Sequence, residues 1–81
     1  MELIWITEAY YVDGYTLKVR FNDGCWRMFD FSTLFGTHKV YEKIRDLEVF
    51  KQFTLDGWAV SWLDGNVDVA PEYIYEHGQA A

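Results

Sequence analysis

Asp64, Asn66 and Asp68 stand at alternate positions in the stretch LDGNVDVAPEYIYEH, Leu63 to His77. Oxygen ligands open a calcium-binding loop with this spacing. The rest of that loop does not follow. Its sixth position needs glycine for a sharp bend and holds Val69; its twelfth needs a bidentate glutamate and holds Tyr75. The preceding residues, Trp58 to Leu63, alternate as a strand where a helix is required. The stretch therefore reads as an Asp64-Gly65 hairpin turn running into a helix N-terminus, with no metal.

Other reactive side chains are sparse. Cys25, His38 and His77 are the only thiol and imidazoles, whereas a structural zinc site takes about four such ligands and a catalytic one about three. Cys25 as a nucleophile would need one of those histidines as base, and beside a hairpin turn it reads as an ordinary small side chain. Asp68 with Glu72, or Glu72 with Glu76, could form a carboxylate pair for acid–base work, provided burial or a like charge raises one pKa. The simpler reading is a solvated helix face with acids in its first turn. Lys18, Arg20 and Arg27 beside Phe29 could stack on single-stranded nucleic acid, but an exposed strand face with scattered bases accounts for them equally. The glycine motifs that bind nucleotides and the nucleophile-elbow motif are absent, so no cofactor is expected.

The charge balance sharpens this reading. All seven bases lie between Lys18 and Lys51, and from Gln52 onward there are five acids and no base. The last third thus carries −5 of the net −6, against seven bases and eight acids before it. Such a segment repels phosphate backbones and favours a basic partner; direct nucleic-acid binding is not expected.

These residues need a scaffold, and 81 residues suffice for one domain. A domain this small buries about 60% of its unfolded surface, so the 20% aromatic content matters. Trp5, Trp26, Trp58 and Trp62 suit either a dense core or an interface, a homodimer included. One cysteine excludes an internal disulfide and fits a reducing cytosol. No apolar run nears the roughly 20 residues of a membrane span, and no secretory signal opens the chain. A cytoplasmic protein without membrane contact is expected.

Four glycines follow aspartate, at Asp13-Gly14, Asp23-Gly24, Asp56-Gly57 and Asp64-Gly65, each flanked by apolar or β-branched residues. Asp-Gly signals a tight hairpin. Glu2 to Val12, Tyr15 to Phe21 and Cys25 to Phe31 form the expected antiparallel meander; Phe53 to Leu55 and Trp58 to Leu63 form a second hairpin. A two-residue loop at Asp23-Gly24 sets Phe21 opposite Trp26, Val19 opposite Met28 and Leu17 opposite Asp30. A three-residue loop would put Arg27 on the apolar side, opposite Val19, so the shorter loop is expected, at a few tenths of a kcal/mol for Arg20 opposite Arg27.

Helical pieces should lie between and after the hairpins. Ser32 is placed to cap a turn through Leu34 and Phe35 that Gly36 ends. Val40 with Ile44, and Leu47 with Phe50, have helical spacing, and Asp46 is an N-cap for Leu47 to Phe53. Pro71 and Glu72 suit the first turn of a last helix, with Tyr73, Ile74 and Tyr75 as its contacts. The fold class is α+β in one domain, residues 1–81, with 76–81 frayed.

YTLKVRFNDGCWRMFDFSTLF, DLEVFKQF and VSWLDGNVDVAPEYIYE together resemble the bacterial domain-of-unknown-function 2442 family. The resemblance rests on Phe29-Asp30 after the strand–Asp-Gly–strand opening, on Phe50, and on Trp62, Gly65, Asp68, Pro71-Glu72 and Tyr75. It spans about residues 15–75 and implies a small α+β domain with no catalytic residues to carry over. Some relatives are joined to a helix-turn-helix segment or encoded beside another small protein, which implies a regulatory or antitoxin-like role. Six residues follow Tyr75 here, so any DNA contact is expected through a partner.

The expected function is a non-catalytic interaction domain whose Asp64, Asp68, Glu72 and Glu76 engage a basic protein. The alternatives are a hydrolase-like enzyme using Asp68 and Glu72, and a homodimer that buries surplus aromatics.

Overall fold

The computed structural model describes residues 3–81, so the expected strand start at Glu2 lies outside the described residues. Strands β1 (Ile6–Asp13), β2 (Thr16–Phe21) and β3 (Trp26–Asp30) form the antiparallel meander. Two short helical turns, Phe31–Leu34 and Lys39–Ile44, are of the tight 3-10 kind and lead to helix α1 (Leu47–Phe50). Strands β4 (Thr54–Asp56), β5 (Ala59–Trp62) and β6 (Val67–Asp68) make a second sheet, followed by helix α2 (Pro71–His77) and strand β7 (Gln79–Ala80). The sheet orders are β1-β2-β3-β7 and β4-β5-β6. The α+β expectation holds, and the second hairpin gains a third strand.

The register of β2 on β3 differs from the expected one. Leu17 pairs with Phe29, Val19 with Arg27 and Arg20 with Trp26. The loop has three residues, Asn22 to Gly24, and Phe21 N–H donates to Cys25 O at 2.8 Å across it. Gly24 takes φ +88°, the left-handed residue that a three-residue hairpin requires, and Asp23 Oδ1 accepts from Cys25 N–H at 2.9 Å. The objection to this register was a charge on the apolar face. It is met because the Arg27 guanidinium lies 4.8 Å over the Tyr75 ring and Nη1 donates to Trp26 O at 3.0 Å. The stem is covered while the head keeps its partners. Phe29 then enters the core in place of Asp30.

The other Asp-Gly pairs also turn differently. Asp13 and Asp56 pair within their ladders, opposite Thr16 and Ala59, so the loops are Gly14-Tyr15 and Gly57-Trp58. Only the glycine has positive φ in each, the pattern of a II′ turn.

Local capping accounts for the helical pieces. Asp30, not Ser32, caps the first 3-10 turn, its Oδ1 accepting from Ser32 N–H at 2.9 Å and from Ser32 Oγ at 2.7 Å. Asp46 caps α1 as expected, through Glu48 N–H at 3.0 Å, but α1 ends at Phe50. Lys39–Ile44 is wound at three residues per turn, which pairs Tyr41 with Ile44 on the inner side and leaves Val40 36% exposed.

Trp62 ties these pieces together. It is fully buried, stacks on Phe50 at 5.5 Å and meets the Phe31 edge at 5.3 Å. Its Nε1–H donates to Phe50 O at 2.7 Å. One ring thus joins β5, α1 and the turn after β3. At the chain end, where a frayed tail was expected, Gln79 and Ala80 pair with Met28 and Arg27.

Candidate interaction surface

The acidic residues are placed by β6, α2 and the loop before them. In β6 the alternation buries Val67 and exposes Asp68. Pro71 and Ile74 turn inward from α2, which sends Glu72 and Glu76 outward one helical turn apart. Asp64 sits in the β5–β6 loop, where Leu63, Asp64 and Gly65 all take positive φ, at 56°, 56° and 85°. Leu63 O accepts from both Asn66 N–H at 3.1 Å and Asn66 Nδ2 at 2.8 Å, which holds that turn closed.

All four carboxylates are exposed, and none is ion-paired among the described residues; the ion pairs are Glu8–Arg20 and Glu42–Arg45. The structure divides the set. Glu72 and Glu76 lie on the outer face of α2, and Asp68 ends β6 three positions before that helix. Asp64 lies beyond the other end of β6, beside Val49, Gln52 and Thr54. Asp68 and Glu72 are both exposed to solvent. Among the described residues, no three His, Cys, Asp or Glu side chains converge as metal ligands would.

Beside α2 lies a cleft of about 290 Å³ between Leu34, Thr37, His38 and Tyr41 on one side and Val69, Ala70 and Tyr73 on the other. Leu34 and Val69 are buried at its base, and Tyr73 is 40% exposed at its rim. Tyr73 packs edge-on against Phe29, and its ring lies 4.3 Å from that of His77. Sequence reading missed this cleft because its walls come from three separate segments, none with a periodic signature.

Cys25 is half-buried beside Tyr75, not beside a histidine. The Tyr75 hydroxyl donates to Asp23 Oδ2 at 2.6 Å and approaches Cys25 Sγ at 3.8 Å. The Asp23 hydrogen bond, then Cys25, pushes the Tyr75 hydroxyl up to about 12. The same hydroxyl and the Cys25 backbone N–H hold Asp23 below the usual carboxylate range. The Tyr75–Asp23 hydrogen bond fastens α2 to the β2–β3 turn.

The bases considered for nucleic-acid stacking are split by the register. Lys18 and Arg20 lie on the outer sheet face, where Lys18 Nζ sits 5.0 Å over Trp26 and Tyr10 stacks on the same ring at 6.2 Å. Arg27 and Phe29 face the other way, toward α2 and the core. On the outer face, the Tyr10 hydroxyl and then Arg20 hold Glu8 below its ordinary value, and Glu8 in turn raises Tyr10.

Asp30 caps a turn, Phe50 and Trp62 stack in the core, Pro71 opens α2, and Tyr75 fastens it. Residues 6–80 match the family described as Protein of unknown function (DUF2442). The chain belongs to this family. Of the DUF2442 features recognisable here, Phe29, Phe50, Trp62 and Pro71 are buried joints of the fold, whereas Asp30, Gly65, Asp68 and Glu72 are exposed. No curated protein and no solved structure matches the chain.

Proposed function

We propose that this DUF2442 domain is a non-catalytic interaction module that binds a basic protein through the carboxylates of its last third, in a regulatory or antitoxin-like pairing. The supporting observation is that Asp64, Asp68, Glu72 and Glu76 are exposed and free of ion pairs among the described residues, with no base following Lys51. Their field attracts a basic surface and speeds encounter, while it opposes direct contact with nucleic acid. A cytoplasmic setting accords with the single cysteine, and no described helix is long and apolar enough to cross a membrane. A hydrolase-like role for Asp68 and Glu72 has less support, because both carboxylates are solvated.

Co-purification from native lysate tests the main reading. A basic partner should be retained at low salt and released as salt rises. The variant carrying Asp64→Asn, Asp68→Asn, Glu72→Gln and Glu76→Gln should lose it. If every complex survives those four changes, the reading fails.

A second surface favours a homodimer that can coexist with this role. Trp58, 58% exposed at a hairpin tip, meets Trp5 edge-on at 5.9 Å, with Leu3 61% exposed nearby in the chain. Light scattering should show a dimer that Trp58→Ser dissociates; a monomer at all concentrations removes this reading.

A further inference from the structure

We propose that the cleft beside α2 receives one large apolar side chain of a basic partner segment, while Asp68, Glu72 and Glu76 take the lysines or arginines flanking it. This rests on the acidic-surface reading above and adds an anchor to it.

Two observations carry the proposal. The first is size and lining. The cleft has buried Leu34 and Val69 at its base, Tyr41 and Tyr73 along its walls, and a volume of about 290 Å³. This volume lies at the small end of the roughly 300–1,000 Å³ of ligand sites and accommodates one large apolar side chain. Tyrosine walls around an apolar floor are the setting in which interface anchors bind.

The second is the charge around the opening. Asp68 and Glu72 are chain neighbours of the wall residues Val69 and Tyr73, and Glu76 follows Tyr73 by three positions on the exposed side of α2. The opposite wall is bordered by Lys39, next to His38, and by Glu42 and Arg45, which pair with each other at 2.9 Å. With Glu42 and Arg45 neutralising each other, the carboxylates outside an ion pair around this apolar hollow outnumber the ammonium three to one among the described residues. The complementary ligand is an apolar residue set between bases. Exposed ion pairs contribute little individually, so a partner held by charge alone would bind weakly and slide in register. A buried anchor supplies both affinity and position.

The test uses two synthetic peptides on the full chain, acetyl-Arg-Lys-Leu-Arg-Lys-amide and its counterpart with glycine in place of leucine. Binding is read by calorimetry at low and raised salt. The leucine peptide should bind about tenfold more tightly, the effect of burying most of one such side chain. Ala70→Phe and His38→Trp, which fill the cleft from opposite walls, should each erase that advantage while leaving the glycine peptide unchanged. Near-ultraviolet circular dichroism confirms that each variant is folded. Neutralising Asp68, Glu72 and Glu76 together should weaken both peptides. Equal binding of the two peptides, or a leucine advantage that survives both filling variants, overturns the cleft proposal. If binding in either case is still lost on neutralisation, the acidic-surface reading stands. Failure of both peptides to bind overturns the two together.

Discussion

The Tyr75 hydroxyl donates to Asp23 Oδ2 at 2.6 Å, fastening the last helix to the β2–β3 turn across 52 positions of sequence. The carboxylate that helps shape the turn through Cys25 N–H thus also holds α2. Its effect on pH dependence has a definite sign. Asp23 is held below its ordinary value, so its contribution is present above the usual carboxylate range and is lost as pH falls through the lowered folded value. Tyr75 is raised to about 12, so its contribution is complete below its unfolded value near 10 and is lost as pH rises through the folded one. Tyr75→Phe and Asp23→Asn should both lower the melting temperature at neutral pH. The gap between wild type and Asp23→Asn should close on acidification; a gap that stays constant would remove Asp23 from the acid transition.

Arg27 tests the three-residue loop. With its guanidinium over Tyr75 and bonded to Trp26 O, Arg27→Ala should cost about 1–2 kcal/mol of unfolding free energy in urea. Arg27→Met, which keeps the covered stem, should cost less. Had the shorter loop formed, Arg27 would lie on the outer face and its removal would fall within about 0.5 kcal/mol.

Trp62→Ala removes the ring that joins β5 and the turn after β3 to α1, and leaves Phe50 O without its indole donor. Loss of a buried aromatic costs about 3–5 kcal/mol, comparable with the lower end of the roughly 5–15 kcal/mol total expected of a domain. Urea unfolding should show a largely unfolded variant or a midpoint shifted far toward zero denaturant. A shift corresponding to less than about 1 kcal/mol would mean the core is not organised around this residue.

Gly78 brings α2 back against β3. A Cβ there would stand 2.7 Å from Ile74 O and 3.0 Å from Arg27 Cβ, and neither neighbour is the free end of a flexible chain. Gly78→Ala should cost about 1–3 kcal/mol and detach β7. Amide exchange would report it as faster exchange along the chain end after Gly78; unchanged exchange would show that the backbone absorbs the added methyl.

Much of this architecture was legible locally. Asp-Gly spacing marked the hairpins, Asp46 marked the start of α1 and Pro71 that of α2, because turn and cap preferences act within a few residues. The third strand of the second sheet was not legible, since Val67–Asp68 is too short to show alternation. Nor was β7, because two residues become a strand only when β3 presents an open edge.

By itself, the sequence determined an α+β chain of hairpins and short helices, its DUF2442 membership and an acid-rich last third, since each follows from local preference, residue order or composition. Tertiary structure decided the β2–β3 register, because α2 supplied the ring and β3 the carbonyl that let Arg27 face inward. It also set Asp64 beside Val49, Gln52 and Thr54, and formed the cleft beside α2. Those outcomes depend on which distant segments meet, and contact across a fold leaves no spacing in the chain.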